Sequence, residues 1–364
     1  MAESSTMRAL RFHAARQITV DDVDPPGPPG PGEVLVRPVM CGICGTDLHE
    51  YTNGPIVIPA SPHPLTGASA PQILGHEFSC VAVETGPGVT DVQAGDLCTV
   101  MPLIGCGHCH ECVRGQGHLC RTMACTGLSS AWGGLAGLAI VRAQQLVPVG
   151  EQVTARQAAL IEPAAVAAYG VDRGRLQPGQ TVLVTGAGPI GSLAAMYALA
   201  GGARRVIVSE PDPSRRALAA SLGDGLGEVI AVDPAAGPVA DLVAEVTGGV
   251  GADLAVECAG IEAALTLCID AVRPAGTVVQ TALHIRPAAI RADVLALKDL
   301  TLIGTWCYPV TDFARVVGLV ASGRLPVERV ISSVVPLDQA VSGGFEQLIT
   351  RGSGEVKVLI EVDA

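Results

Sequence analysis

Thr181-Val182-Leu183-Val184-Thr185-Gly186-Ala187-Gly188-Pro189-Ile190-Gly191 decides how the rest of the chain is read. Its first half is an apolar run bounded by threonines, the pattern of a strand buried on both faces. Its second half spaces Gly186, Gly188 and Gly191 as G-x-G-x-x-G, where that strand must turn into a helix. Pro189 suits the first turn of the helix, because the N–H it lacks would have had no partner there. The backbone of Gly188, Pro189, Ile190 and Gly191 then offers the helix start to a pyrophosphate, and Gly188 carries no side chain to keep that phosphate away. A second apolar run, residues 206–208, ends at Ser209-Glu210. Glu210 stands about 20 residues past the glycines, where an acid ending the second strand accepts hydrogen bonds from an adenosine ribose. A tight turn with no ligand would explain the glycines but not the acid.

With 364 residues the chain can form two domains, each with its own core. Apolar residues make up 49% but aromatics only 3%, so the core must be built from aliphatic and small side chains. A net charge of -12 argues against nucleic acid or an anionic membrane as partner, since both need a basic surface. The first six residues are small and polar, which predicts neither a signal peptide nor a membrane anchor and hence a cytoplasmic protein. Twelve cysteines in such a chain point to metal before disulfides.

Residues 7–37 read as short strands separated by dense Pro/Gly turns, an all-β beginning. Residues 47–74 lack periodicity and read as a loop covering a site. Strand patterns resume over 75–97. From residue 155 the period is helical, and over 181–281 apolar strands at 181–184, 206–208, 229–232, 254–256 and 277–280 alternate with helical segments. That alternation implies a parallel sheet covered on both faces. Residues 300–305 add a strand, and 356–360 close the chain.

Two constellations carry chemistry. Cys106-x-x-Cys109-x-x-Cys112-x7-Cys120 has the spacing of a closed tetrahedral four-thiolate zinc site, which leaves no open position and so is structural. His108, His110 and His118 nearby are then expected at the surface. The second constellation is dispersed: Cys44 in Cys-Gly-Thr-Asp, His76 and Glu77 in Gly-His-Glu, and Glu162 in Glu-Pro. One thiolate, one imidazole and one carboxylate leave the fourth zinc position open, as catalysis requires. Taken singly, Cys41-x-x-Cys44 also fits a redox pair, His76 a satisfied core histidine and Glu162 a helix-start carboxylate.

Cys41-Gly-Ile-Cys44-Gly-Thr-Asp-Leu-His49, Gly75-His76-Glu77, the four-cysteine lobe, Glu162-Pro163 and Gly186-Ala-Gly-Pro-Ile-Gly191 stand in the order found in the zinc-containing medium-chain alcohol dehydrogenases, and the chain resembles that superfamily over nearly its whole length. His49-Glu50-Tyr51, Gly54-Pro55-Ile56 and His63-Pro64-Leu65-Thr66-Gly67 make it most similar to the polyol and 2,3-butanediol dehydrogenase branch. The resemblance implies a GroES-like β catalytic domain, residues 1–155 and 307–364, carrying two zinc ions. It also implies a Rossmann domain, a doubly wound parallel sheet over 156–306, that binds the coenzyme. Cys44, His76 and a carboxylate would hold the catalytic zinc, Glu162 ranking ahead of Glu77. Two departures stand out: Cys80 replaces the second glycine of Gly-His-Glu-x-x-Gly, and residues 133–137 lack a glutamate usual before the next strand.

For such chemistry Thr46 is placed to accept the alcohol proton and His49 to pass it to solvent, its reference pKa of about 6.5 suiting that task. Each also has a plain reading, as a loop hydroxyl and an exposed histidine. Glu210 would repel a 2'-phosphate, which favours NAD over NADP, while Arg215 nearby could tolerate the phosphate. Residues 257–260 end a strand and should border the nicotinamide. The apolar strand 300–305 would leave an open sheet edge, and family members join coenzyme domains, so a homodimer or homotetramer is expected. The uncharged loop 51–71 offers nothing to hold an anion. The expected substrates are therefore small neutral secondary alcohols or vicinal diols and the matching ketones, with Tyr51 and Trp306 as candidate pocket residues. Sorbitol-like polyols, general secondary alcohols and zinc-free enone or quinone reduction are the alternatives.

Overall fold

The computed structural model describes residues 6–362. Met1–Ser5, the start read above as too polar for a leader, lies outside the described residues. The chain divides into two compact units: Met1–Glu162 with Pro309–Ala321 and Ile331–Ala364, and Pro163–Tyr308 with Ser322–Val330. Among the described residues no helix is long and apolar enough to cross a membrane.

In the second unit the quoted run becomes the central strand Thr181–Thr185, every residue of it buried. Beta-branched residues dominate it, which favours a strand sandwiched between helices. Six parallel strands stand in the spatial order Glu228–Val232, Arg205–Ser209, Thr181–Thr185, Ala252–Glu257, Val272–Gln280, Thr301–Gly304. The order reverses beside Thr181–Thr185, between it and Ala252–Glu257, which creates the crevice at the carboxyl ends of strands where nucleotides bind in this fold. Leu183, Ile207, Ala255, Val243, Leu265 and Val278 anchor its aliphatic core.

The first unit is built on a seven-stranded sheet in which Glu33–Gly42 pairs antiparallel with Glu77–Thr85, Ala139–Arg142 and Lys357–Glu361. Register sets Gly42 opposite Glu77 and Leu359 opposite Gly42. The last strand of the chain thus lies one strand away from Glu77–Thr85, across Glu33–Gly42. Leu10, Phe12, Val36, Phe78, Phe345 and Val358 fill the core beneath.

Across residues 47–74, read above as loop throughout, the structure runs the helix Gly45–Asn53 into the start of the segment and ends the segment near the short strand Gln72–Ile73. The helix has weak apolar periodicity because the residues it buries are Asp47, Glu50 and Tyr51, two of them charged. Burial of acids rather than aliphatics hides a helix from hydrophobic patterning. His118, expected at the surface, is buried at 3% exposure in the short turn Gly117–Leu119. A spacing argument that assigns ligands to thiols has no bearing on where an unused imidazole packs.

Candidate metal centres and coenzyme site

Cys44 is the N-cap of helix Gly45–Asn53 and is half-buried. Asp47, at the third position of that helix, accepts the Cys44 N–H through Oδ2 at 2.9 Å, the reciprocal bond that seals a helix start. Its other oxygen, Oδ1, lies 3.6 Å from His76 Nδ1. Among the described residues neither Oδ1 nor that Nδ1 has a hydrogen-bond partner, although both are buried. His76 follows Gly75, whose φ of +100° and close approach to Cys41 and Leu135 admit no side chain. The glycine stretch that departs from the family pattern supports this bend: Gly134 N–H donates to Gly75 O at 2.7 Å and Leu135 N–H to Leu74 O at 3.0 Å. Cys80, the other departure, is buried opposite Cys98 on the neighbouring strand.

Ligand atoms of Cys44, His76 and Glu77 all lie within 4.8 Å of one another. The charge around them is lopsided. Burial pulls the His76 pKa down, but Asp47, Cys44 and Glu77 more than offset it and leave the imidazole well above its ordinary value. Burial likewise raises the Cys44 thiol, with Glu77 adding to the effect. Several potential anions round one imidazole form a donor set that suits a divalent cation, and Asp47 is the kind of partner that orients a metal-binding histidine.

Lys357 is the residue of this centre that motif reading missed. It is 1% exposed, ion-pairs with Glu77 and donates to Ile43 O at 3.0 Å. Burial lowers its pKa, yet Glu77, Cys44 and Glu162 outweigh that and raise it. Glu162, 7% exposed in the helix Ile161–Arg173, is therefore part of the electrostatic surroundings of Lys357, while the tight ligand group contains Glu77. The only sequence signal for Lys357 was a lysine opening an otherwise apolar strand. Thr46 and His49 are half-buried on the same helix as Cys44. Tyr51 is 5% exposed; it packs edge-on to Phe345 at 5.5 Å, carries Arg16 over its ring and donates its hydroxyl to Glu346. Those contacts make it an anchor of the helix. Trp306 is 40% exposed.

The four sulfurs of Cys106, Cys109, Cys112 and Cys120 also lie within 4.8 Å of one another. Cys106 accepts the N–H of Cys109 at 3.3 Å, and Cys120 that of Cys106 at 3.3 Å. Backbone N–H groups of His108 and Cys109 lower the Cys106 pKa, favouring the thiolate that zinc requires. His108 and His110 are exposed.

In the nucleotide crevice Gly188 caps the helix Pro189–Ala200, with Pro189 at its first position. A Cβ on Gly188 would project into open space, where a phosphate could sit, whereas Gly186 adopts φ +87° and Gly191 abuts the Gly186 carbonyl. Ile190 is half-buried beside them. Glu210 is 5% exposed and accepts the N–H of Ala187 at 2.6 Å and of Asp212 at 2.9 Å. The acid thus also braces the glycine loop. Arg215 lies in the first turn of the helix Pro213–Ser221, its N–H capped by Asp212 at 3.0 Å. Arg216, its unremarked neighbour, donates to Glu210 O at 2.8 Å and pairs with Asp233 at 3.4 Å. Glu257 ends its strand fully buried and accepts the N–H groups of Ala259 and Gly260, each at 2.8 Å.

A doubly wound nucleotide-binding sheet and a β unit bearing an open metal-capable trio and a closed four-thiol lobe together define a metal-dependent dehydrogenase. Residues 30–151 match the alcohol dehydrogenase GroES-like domain, and residues 189–322 match the zinc-binding dehydrogenase family. The chain is 36% identical to (R,R)-butanediol dehydrogenase of Neisseria gonorrhoeae over 97% of its own length and 99% of that protein. The crystal structure of 2R,3R-butanediol dehydrogenase from Bacillus subtilis superposes with a TM-score of 0.91 at 34% identity, covering 98% of this chain and 100% of that one. A zinc-binding dehydrogenase of Sinorhizobium meliloti bound to NADP gives 0.87 at 31% identity, covering 98% and 99%. The chain belongs to the zinc-containing medium-chain alcohol dehydrogenases and is an oxidoreductase acting on CH–OH donors.

Proposed function

We propose that the protein transfers hydride between NAD and a small neutral secondary alcohol or vicinal diol, with 2,3-butanediol and acetoin as the model pair. The observation that carries this reading is the end-to-end similarity to butanediol dehydrogenases, with Cys44, His76 and an acid gathered in one buried centre. We assign the catalytic zinc to Cys44, His76 and a carboxylate, and a structural zinc to Cys106, Cys109, Cys112 and Cys120. When bound, catalytic zinc supplies Lewis acidity that brings the pKa of an alcohol toward neutrality.

The chain's own residues do the rest. Asp47 faces the His76 ring across 3.6 Å. Two acids could complete the metal's ligand set, Glu162 ranking ahead of Glu77, and Lys357 ion-pairs with Glu77. Thr46 accepts the alcohol proton and His49 hands it to water. Gly186, Gly188, Pro189, Ile190 and Gly191 cradle the pyrophosphate, while Glu210 takes the ribose hydroxyls and disfavours a 2'-phosphate. Arg216, held by Asp233 and two carbonyls, is not poised to reverse that preference, which leaves Arg215 as the group that could soften it.

Twelve cysteines whose spacing suits metal before disulfides fit a reducing, cytoplasmic compartment. Among the described residues the end strand Thr301–Gly304 is paired on one side only, and Leu283, Ile285 and Leu297 of the same unit are 62%, 74% and 86% exposed. We take that edge as the dimer contact, which light scattering at micromolar concentration tests directly.

The deciding experiment is a set of specificity constants for 2,3-butanediol stereoisomers, sorbitol, threonine, 2-propanol and ethanol with NAD and NADP. A 2,3-butanediol isomer with NAD should give the highest value. Threonine or ethanol exceeding every secondary alcohol and diol would overturn the substrate, and NADP exceeding NAD would overturn the coenzyme.

A further inference from the structure

The nine-residue helix Gly45–Asn53 carries Thr46 and His49 and is capped by Cys44, so one short rod sets the place of a metal ligand and of both proton carriers. Its two ends are held differently. At the start, Ile43 N–H donates to Val358 O of the last strand at 3.1 Å, which ties the Cys44 end to the sheet. At the far end Glu50 accepts the N–H groups of Ile56 at 2.9 Å and Ile58 at 3.2 Å, which binds the helix to the segment that leaves it. Distant parts of the chain reach that end through Tyr51.

Two of them meet there, both in the first unit. The Tyr51 hydroxyl donates to Glu346, 295 residues on, and the ring packs edge-on to Phe345. The Glu346 carboxylate pushes the hydroxyl above its ordinary pKa, with burial adding to the effect, so the phenol stays a donor. From the other side comes Arg16, in the two-residue turn between Met7–Ala14 and Gln17–Val23. Its N–H donates to Tyr51 O at 2.7 Å, and its guanidinium lies 4.9 Å from the ring centre and 3.4 Å from Glu346. Arg16 holds φ at +60°, which a residue with a side chain keeps only where its surroundings fix it. The wide helical turn Ala340–Phe345 delivers Phe345 and Glu346, and a Cβ on its Gly344 would come within 2.5 Å of Ile43 Cδ1. Residues 344–346 thus touch both flanks of the helix, and turns of this π type recur at functional sites.

We infer that Tyr51 and Glu346 are positioning residues for proton transfer: their bond fixes the far end of the helix and, through it, His49. The inference rests on the proton route proposed above. His49 stands two residues before Tyr51 and five past Cys44, so a slack clamp displaces His49 more than the metal ligand. The loss then falls on delivery of the proton to water, and metal and coenzyme binding are spared.

The test is the single-turnover rate of NADH formation from 2,3-butanediol as N-methylmorpholine is raised at fixed pH and ionic strength. This hindered amine is a diffusible base that takes over from a misplaced proton acceptor. Tyr51→Phe, which removes one hydroxyl and keeps the ring, should lower the rate about tenfold, within the range that small displacements far from the chemistry cost. Added base should restore most of that loss and leave the parent rate flat, with zinc content and NADH affinity unchanged. Glu346→Ala should behave likewise, and the double variant no worse, since both substitutions break one bond. Glu346→Gln keeps an acceptor for the hydroxyl and loses only a half-exposed ion pair, so its rate should stay within twofold of the parent. A Tyr51→Phe rate within twofold of the parent overturns the inference. So does a slow Tyr51→Phe enzyme that ignores added base, because it has lost packing alone. His49→Gln is the control: if base restores it and not Tyr51→Phe, the proton route stands and the clamp falls. If base does not restore His49→Gln, the route fails and the inference with it.

Discussion

The four-thiol lobe draws every donor from one short loop, whereas Cys44, His76 and Glu77 come from a helix cap and the start of a strand, with Lys357 reaching them from the last strand of the chain. The lobe is electrically simple. Its sulfurs are mostly half-buried, and backbone N–H groups serve them directly. The interior centre is crowded with buried charge, each acid offset by a neighbour that belongs to a different element. A local site can hold a metal as soon as its loop closes, and it returns that binding energy to folding. A dispersed site exists only after the sheet has formed, and it keeps a coordination position free for chemistry.

Three substitutions sharpen or break that contrast. The largest effect is expected from Cys44→Ala. Turnover should fall by about a thousandfold or more, since several kcal/mol of charge stabilisation leave with the metal. Zinc analysis should show one ion lost, and NADH titration should be unchanged; undiminished turnover would refute the assignment of Cys44 as a ligand. Cys112→Ser should act in the opposite sense, costing several kcal/mol of stability, roughly 10 °C in melting temperature, before it alters the rate of the folded enzyme. A melting curve that does not move would show that the lobe holds no structural metal.

An effect of similar size on stability is expected from Lys357→Met, which leaves Glu77 buried without its ammonium. Breaking such a pair costs about 3–5 kcal/mol. Adding Glu77→Gln should recover part of that loss, and the non-additivity in thermal melts measures the coupling. If the two losses simply add, the pair is not the stabilising contact of the centre.

The open-edged strand Thr301–Gly304 and the helix Gly45–Asn53 show how differently sequence signals fare. Residues 300–305 announce a strand because alternating aliphatics have no other stable use, and the structure places one there. The helix was silent because it buries acids, and acids become buried only where N–H groups and cations from elsewhere await them.

From the sequence alone came the glycine spacing of the nucleotide turn, the alternation that requires a parallel sheet, the four-thiol lobe and the presence of a thiol, an imidazole and acids suited to zinc. Each of these is encoded by neighbours in the chain, so local geometry suffices to read it. Only the tertiary structure brought Lys357 to Glu77, aligned Asp47 with His76 and folded residues 56–58 back onto Glu50. Those contacts join segments far apart in the sequence or hidden by buried charge, and their register is set by strand pairing and turn geometry.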